Sequence, residues 1–220
     1  MAISKVNFNS LNLTPTASKT VIFNSNNNGI EAGDVGGSLV LISSQTASSS
    51  ANITFDTNID STYKEYIFYL VDMHHNSNSE PEVTFNFSID SGSNYNVTKT
   101  STSFRAYHGE DGSGGALGYY APTDVAQGTG NIPLSFNADG DNDSTMVAFL
   151  HLYDPSSTTF VKHFIGQANE VHDLPRSNGN YFAGYCNTTS AINAVKFNGE
   201  YGEGTNGNID SGKIILFGIN

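Results

Sequence analysis

The sequence predicts an all-β protein: an antiparallel two-sheet sandwich, jelly-roll-like, with an extended N-terminal arm. Three observations carry this. Asn, Ser, Thr and Gly make up 93 of 220 residues, or 42%; all four sit low on the helix propensity scale, and Asn, Ser and Thr also compete for backbone hydrogen bonds. The 14 Phe and 11 Tyr fall in short clusters at regular spacing, which a disordered chain lacks. No stretch sustains a helical period, whereas roughly ten short apolar runs are each bounded by turn residues.

Residues 1–37 differ from the rest of the chain. They hold one β-like run at 20–23 (TVIF), the turn signal Asn26-Asn27-Asn28-Gly29 and a Gly36-Gly37 hinge, too little to bury a core. They read as an arm that orders by docking on a neighbour through Ile3, Val6, Phe8, Leu11, Leu13, Val21, Ile22 and Phe23. The sandwich is predicted over 38–220. Runs at 38–43 (SLVLIS), 51–55 (ANITF) and 65–73 (EYIFYLVDM) open it. In 82–89 (EVTFNFSI), Val83, Phe85, Phe87 and Ile89 alternate with Thr84, Asn86 and Ser88, which predicts one buried face and one wet face. The Thr-rich run 96–107 suits an exposed strand. Further strands are expected at 131–136, 146–153, 160–165, 181–186, 191–197 and 213–219, with turns at 154–157 and 177–180. The last run (KIILFGI) is expected to pair inside a sheet, because an exposed apolar edge there invites aggregation.

Twenty-one acidic against nine basic residues give a net charge of −12. With no Lys/Arg cluster, nucleic-acid binding is disfavoured. No apolar run approaches the roughly 20 residues that cross a bilayer, and the opening MAISKVNFNS lacks the apolar core of a signal peptide; the expectation is a chain that does not engage membranes and is not exported by the general secretory route. One cysteine, Cys186, rules out an intramolecular disulfide.

Asp139, Asp141 and Asp143 alternate as at the start of a calcium loop, but the next positions depart from an EF-hand: Ser144 stands where Gly is needed and Leu150 where Glu is needed. They form a weak calcium candidate, and no cofactor is expected. His151 and His163 lie on neighbouring predicted strands, where packing is the commoner role than metal ligation. No G-x-S-x-G elbow is present, and the Gly-rich 109–118 (GEDGSGGALG) has no Lys and precedes no helix, so it reads as a mobile loop. No motif nominates a catalytic pair, and the chain is read as a non-enzyme. Tyr107, Tyr119, Tyr120, Tyr181 and Tyr185, at strand ends and loops, suit either a subunit interface or a glycan contact.

The segments 154–164 (DPSSTTFVKHF), 181–189 (YFAGYCNTT) and 208–219 (NIDSGKIILFGI), with 38–47 (SLVLISSQTA) and 104–108 (FRAYH), resemble those of small β-rich structural proteins of tailed bacteriophages, marine ones especially. The resemblance spans about 38–219. It implies a virion structural protein of decoration or fibre type, assembled in the bacterial host cytoplasm as a homotrimer. Its partners would be capsid or tail subunits, with the arm as anchor; a tail-fibre or tail-tip role in host attachment would add a surface glycan. No catalytic residues come with it.

Overall fold

The computed structural model describes residues 20–23, 26, 28–33, 39–75, 81–201 and 205–219. The chain divides into two compact units, Met1–Ser38 and Leu39–Asn220. In the first, β1 (Thr20–Phe23) and β2 (Ile30–Gly33) form an antiparallel hairpin, with Val21 opposite Ala32 and Phe23 opposite Ile30. The second strand is an addition to the sequence reading, since IEAG carries little β propensity of its own. Phe23 is 76% exposed and Val21 is exposed as well. Ile22 between them is half-buried, and the remaining expected anchoring positions, Ile3, Val6, Phe8, Leu11 and Leu13, lie outside the described residues.

The second unit is all-β and antiparallel, with two sheets facing each other. The larger sheet has eight strands in the order β3 (Leu39–Thr46), β15 (Ile209–Ile219), β5 (Glu65–His75), β10 (Met146–Tyr153), β11 (Lys162–His172), β12 (Arg176–Cys186), β7 (Lys99–Gly109) and β8 (Gly115–Tyr119). The smaller sheet orders β14 (Thr205–Gly207), β13 (Ala194–Tyr201), β6 (Pro81–Ser88) and β9 (Ile132–Pro133), with β4 (Asn52–Phe55) also paired to β13. This order establishes a sandwich of unequal sheets and goes no further toward a jelly roll. The C-terminal strand lies between β3 and β5, paired on both sides.

Alternation places one face of every central strand in the space between the sheets. Phe85 and Phe87 of β6 meet Phe164 of β11, with ring centroids 5.6 and 5.5 Å apart, and Phe85 also meets Phe182 of β12 at 5.7 Å. Phe68 of β5 meets Phe197 of β13 and Phe55 of β4, each at 5.3 Å. Room for this aromatic layer comes from glycines. Phe164 is directly opposite Gly184, and Gly166 is directly opposite Phe182. A Cβ on Gly166 would clash with the Phe182 ring, and one on Gly184 with the Phe164 ring. Each large residue therefore folds over the bare backbone of its cross-strand partner.

Several predicted features differ. Thr84, Asn86 and Ser88, expected on a wet face, are at most 1% exposed, because β9 and residues 129–135 fold over that side of β6 and bond to it. Ile89, expected in the core, lies beyond the end of β6 and is exposed. The run 96–107 gives β7, whose edges are paired by β12 and β8 and whose residues are half-buried or exposed except Lys99 and Ser103. The predicted turn at 177–180 is strand, and residues 173–175 make the turn instead. Asn178 and Asn180 look like turn residues in sequence, but both are buried and bonded to Glu170. Part of the Gly-rich 109–118 forms β8, and the strand expected at 131–136 shrinks to two residues.

Because Gly166 and Gly184 fit under rings at van der Waals contact, Gly166→Ala and Gly184→Ala should each destabilise the protein by about 1–3 kcal/mol through overpacking. The check is the urea unfolding midpoint. An alanine accepted at both positions without loss would mean that the interlock does not hold the core.

Candidate functional site

Two regions gather side chains of functional kind, one at the end of the sandwich and one on the outer face of the large sheet. The first begins with alternation in β7, β11 and β12, whose inward positions change from apolar to polar toward one end. Arg105 and Tyr107 of β7, Glu170 and His172 of β11, and Arg176, Asn178 and Asn180 of β12 meet there. Glu170 is 1% exposed. Its carboxyl accepts from the Phe136 N–H at 3.0 and 3.2 Å, from Asn178 Nδ2 at 2.5 Å and from Asn180 Nδ2 at 3.5 Å. Burial pushes this carboxyl up to about 8 against the pull of those donors.

The arginines lie on aromatic rings. Arg105 sits 3.8 Å from the Tyr120 ring centroid, and Arg176 4.5 Å from that of Tyr107, both within cation–π range. Arg176 Nη2 is 2.6 Å from His172 Nε2. Burial first, then the Arg176 charge, holds His172 down to about 4, so the imidazole is neutral and accepts from the guanidinium. A cleft of about 330 Å³ opens beside this network, lined by His108, Glu110, Asn169, Glu170 and Arg176 among others. The network ties β7, β11, β12 and the 134–138 segment together, and it was not legible in sequence, where its members are scattered singly.

The second region is the outer face of the large sheet. Its outward residues run Tyr69 and Val71 on β5, Val147 and Phe149 on β10, Ile165 and Gln167 on β11, Tyr181 and Tyr185 on β12, and Phe104 on β7. Tyr69, Val71, Phe104, Val147 and Ile165 are between 37% and 49% exposed, on a face that the register also gives His151, Gln167, Asn169 and Thr102. Two shallow grooves of about 320 and 370 Å³ cross it, one between Tyr69, Val147 and Gln167 and the other between Thr102, His163 and Tyr185. No outward position of β10, β11, β12, β7 or β8 carries a carboxylate. Glu65 at the start of β5 shares a hydrogen bond with His151 Nδ1.

The five predicted tyrosines divide between these regions. Tyr107 and Tyr120 lie under arginines at the sandwich end. Tyr181 stacks on Phe104 with centroids 4.7 Å apart and planes 6° from parallel, and Tyr119, opposite Phe104 on the edge strand β8, is 65% exposed. Tyr185 is next to His163, at 6.1 Å between centroids. Phe104, the partner that completes the outer aromatic strip, was passed over in sequence because it sits within a Thr-rich run.

The other candidates are not brought together. Among the described residues no three His, Cys, Asp or Glu side chains form a group that could hold a metal. Asp139 caps its own loop, accepting from the Asp141 N–H at 3.2 Å and the Ser144 hydroxyl at 2.9 Å, which is how a short acidic turn holds its shape. His151 takes Glu65 as partner and His163 lies beside Tyr185, so the two histidines do not face one ion. His74 bonds Asp210 at 2.6 Å; burial pulls its imidazole down, but Asp210 and nearby carbonyls outweigh this and raise it. His75 is 3% exposed, its ring nitrogens have no hydrogen-bond partner among the described residues, and burial holds it down to about 4.

Comparison with protein-family models, with curated proteins and with solved structures finds no match.

The buried groups set opposing pH limits. His75 and His172, held near 4 against an ordinary 6.5, make the unfolded chain bind more protons between those values, so stability falls as pH drops through that window. Glu170, near 8 against an ordinary 4.5, makes the folded chain hold the extra proton, so stability falls as pH rises from about 4.5 through 8. Glu170→Gln should flatten the alkaline limb of urea midpoint against pH and leave the acidic limb in place. An unchanged alkaline limb would mean that Glu170 is already ionised below pH 7.

Proposed function

We propose that this chain is a structural subunit of a multi-chain assembly, acting by protein–protein binding through the outer face of its large sheet. The observation that carries this is the distribution of charge. A chain with a net charge of −12 repels its own copies wherever carboxylates meet. Among the described residues most carboxylates occupy turns, strand ends and buried networks, with Asp72 exposed within β5, while β10, β11, β12 and β7 present Val147, Phe149, Ile165, Tyr181 and Phe104 outward with no carboxylate among them. That surface permits close approach and offers apolar area to bury.

The phage-protein resemblance supplies the kind of assembly: a virion surface, with the chain as a decoration or fibre-type component, three copies associating through this face and the N-terminal arm reaching capsid or tail. The exposed Val21 and Phe23 of β1 are consistent with an arm that binds elsewhere. A second reading has its own observation. The stacked Phe104–Tyr181 pair beside the exposed Tyr119 is an aromatic cluster near the sheet edge against which a sugar ring could pack, and it suits a tail-fibre or tail-tip protein that recognises host surface glycan.

Sedimentation velocity at micromolar concentration should show a trimer for the full chain and a monomer for Val147→Glu/Ile165→Glu, with unchanged circular dichroism because both positions are exposed. A monomeric wild type would refute the assembly reading. For the glycan reading, Phe104→Ala and Tyr119→Ala should each weaken binding to host polysaccharide about tenfold, the scale of one aromatic contact; absence of polysaccharide binding by the wild type removes it.

A further inference from the structure

Two lysines of the large sheet have no exposed surface, Lys99 at the start of β7 and Lys162 at the start of β11. They flank Cys186 in register on either side of β12. Their partners differ. Lys162 Nζ donates to two backbone carbonyls, of Phe160 and Thr188, each at 3.1 Å. Lys99 Nζ donates to the Val97 carbonyl at 3.1 Å and to a side-chain amide, Asn86 Oδ1, at 2.8 Å. Both of these acceptors are neutral. Burial holds the Lys99 ammonium down to about 8, and the nearby Cys186 thiol, itself pushed up to about 12, brings it no standing negative charge.

Asn86 is equally fixed. It is 1% exposed, and β9 covers only Thr84 and Phe85 of its strand, leaving the edge beyond to Lys99 and residues 129–131. Its Nδ2 donates to the Thr129 carbonyl at 3.0 Å and to Asn131 Oδ1 at 2.8 Å, and its Oδ1 also accepts from the Phe87 N–H at 2.9 Å. Asn131 in turn donates to the buried Glu200 carboxylate. A carbonyl bond of about 1.23 Å puts the amide carbon no farther than about 4 Å from Lys99 Nζ. An amine and an amide are thus held together, dry, with a backbone donor on the amide oxygen and acceptors on the amide nitrogen.

We propose that Lys99 and Asn86 are joined by an intramolecular isopeptide bond that forms in the folded interior. The ammonium first gives one proton to solvent, a loss that burial of Lys99 favours. The neutral Nζ then attacks Asn86 Cγ, forming a C–N bond, while the Phe87 N–H stabilises the negative charge that develops on Oδ1. The Cγ–Nδ2 bond breaks, one proton passes from Nζ to Nδ2, and Nδ2 leaves as ammonia. Amine plus primary amide give secondary amide plus ammonia, so no oxidant or cofactor enters. Enforced proximity supplies the rate. Asn131, held by Glu200, is a positioning residue that keeps the amide turned toward Lys99. Lys162 has no side-chain amide on its Nζ and stays free. The bond links β6 of the small sheet to β7 of the large one, a covalent tie between the layers in a chain whose single cysteine allows no internal disulfide. It does not depend on the surface-subunit reading.

The test is the intact mass of the full wild-type chain under denaturing conditions. The expected result is a species lighter than the sequence mass by one ammonia, with a branched peptide joining the segments that contain Asn86 and Lys99 after digestion. Lys99→Met should return the mass to that of its sequence and lower the melting temperature by several degrees. A wild-type chain at full mass with linear peptides across both residues overturns the proposal. So does an ammonia loss traced to an Asn-Gly turn such as Asn28-Gly29, where succinimide formation gives the same mass.

Discussion

The sandwich depends on a steric constraint between its layers: phenylalanines that fit only because the strand opposite has no side chain. Phe164 over Gly184 and Phe182 over Gly166 are reciprocal pairs on the same two strands, and the rings they place meet Phe85 and Phe87 from the other sheet. Shifting β11 against β12 by one residue breaks both pairs and turns every side chain to the opposite face. The interlock therefore sets register as well as packing, and register determines which residues reach the sandwich end and which reach the outer surface.

Polar groups inside this frame are numerous and mostly bonded. Glu170, 1% exposed, accepts from three separate groups, and Asn86, Asn131, Lys99 and Glu200 form a second chain of contacts along β6. Satisfied networks of this kind specify geometry, because each member is costly if left without its partner. Asn86, Asn178, Asn180 and Asn198 are buried and bonded inside these networks.

The same register that buries these networks lifts Val147, Ile165 and Phe104 to the outside of the large sheet. β10, β11, β12, β7 and β8 carry no outward carboxylate, and Glu65 of β5 is held by His151, so acidic turns that repel like molecules stand beside a sheet face poorer in negative charge.

Local rules carried much of this in the sequence. Period-two alternation identified most of the central strands, the buried Phe85 and Phe87, and the paired C-terminal strand, because a strand's own residues encode its two faces. What lies against a face is set by distant parts of the chain. Thr84 and Asn86 read as solvent-facing until residues 129–135 fold over them, and Asn178 and Asn180 read as a turn until Glu170 stands eight and ten residues before them across the β11–β12 hairpin. The tyrosines likewise looked alike in sequence, and only pairing put Tyr181 on Phe104 and Tyr120 under Arg105. The sequence by itself determined the class of fold, the alternation and the exclusion of disulfides; tertiary structure alone decided which polar residues are buried and what they touch, since burial is a property of contacts between segments far apart in the chain.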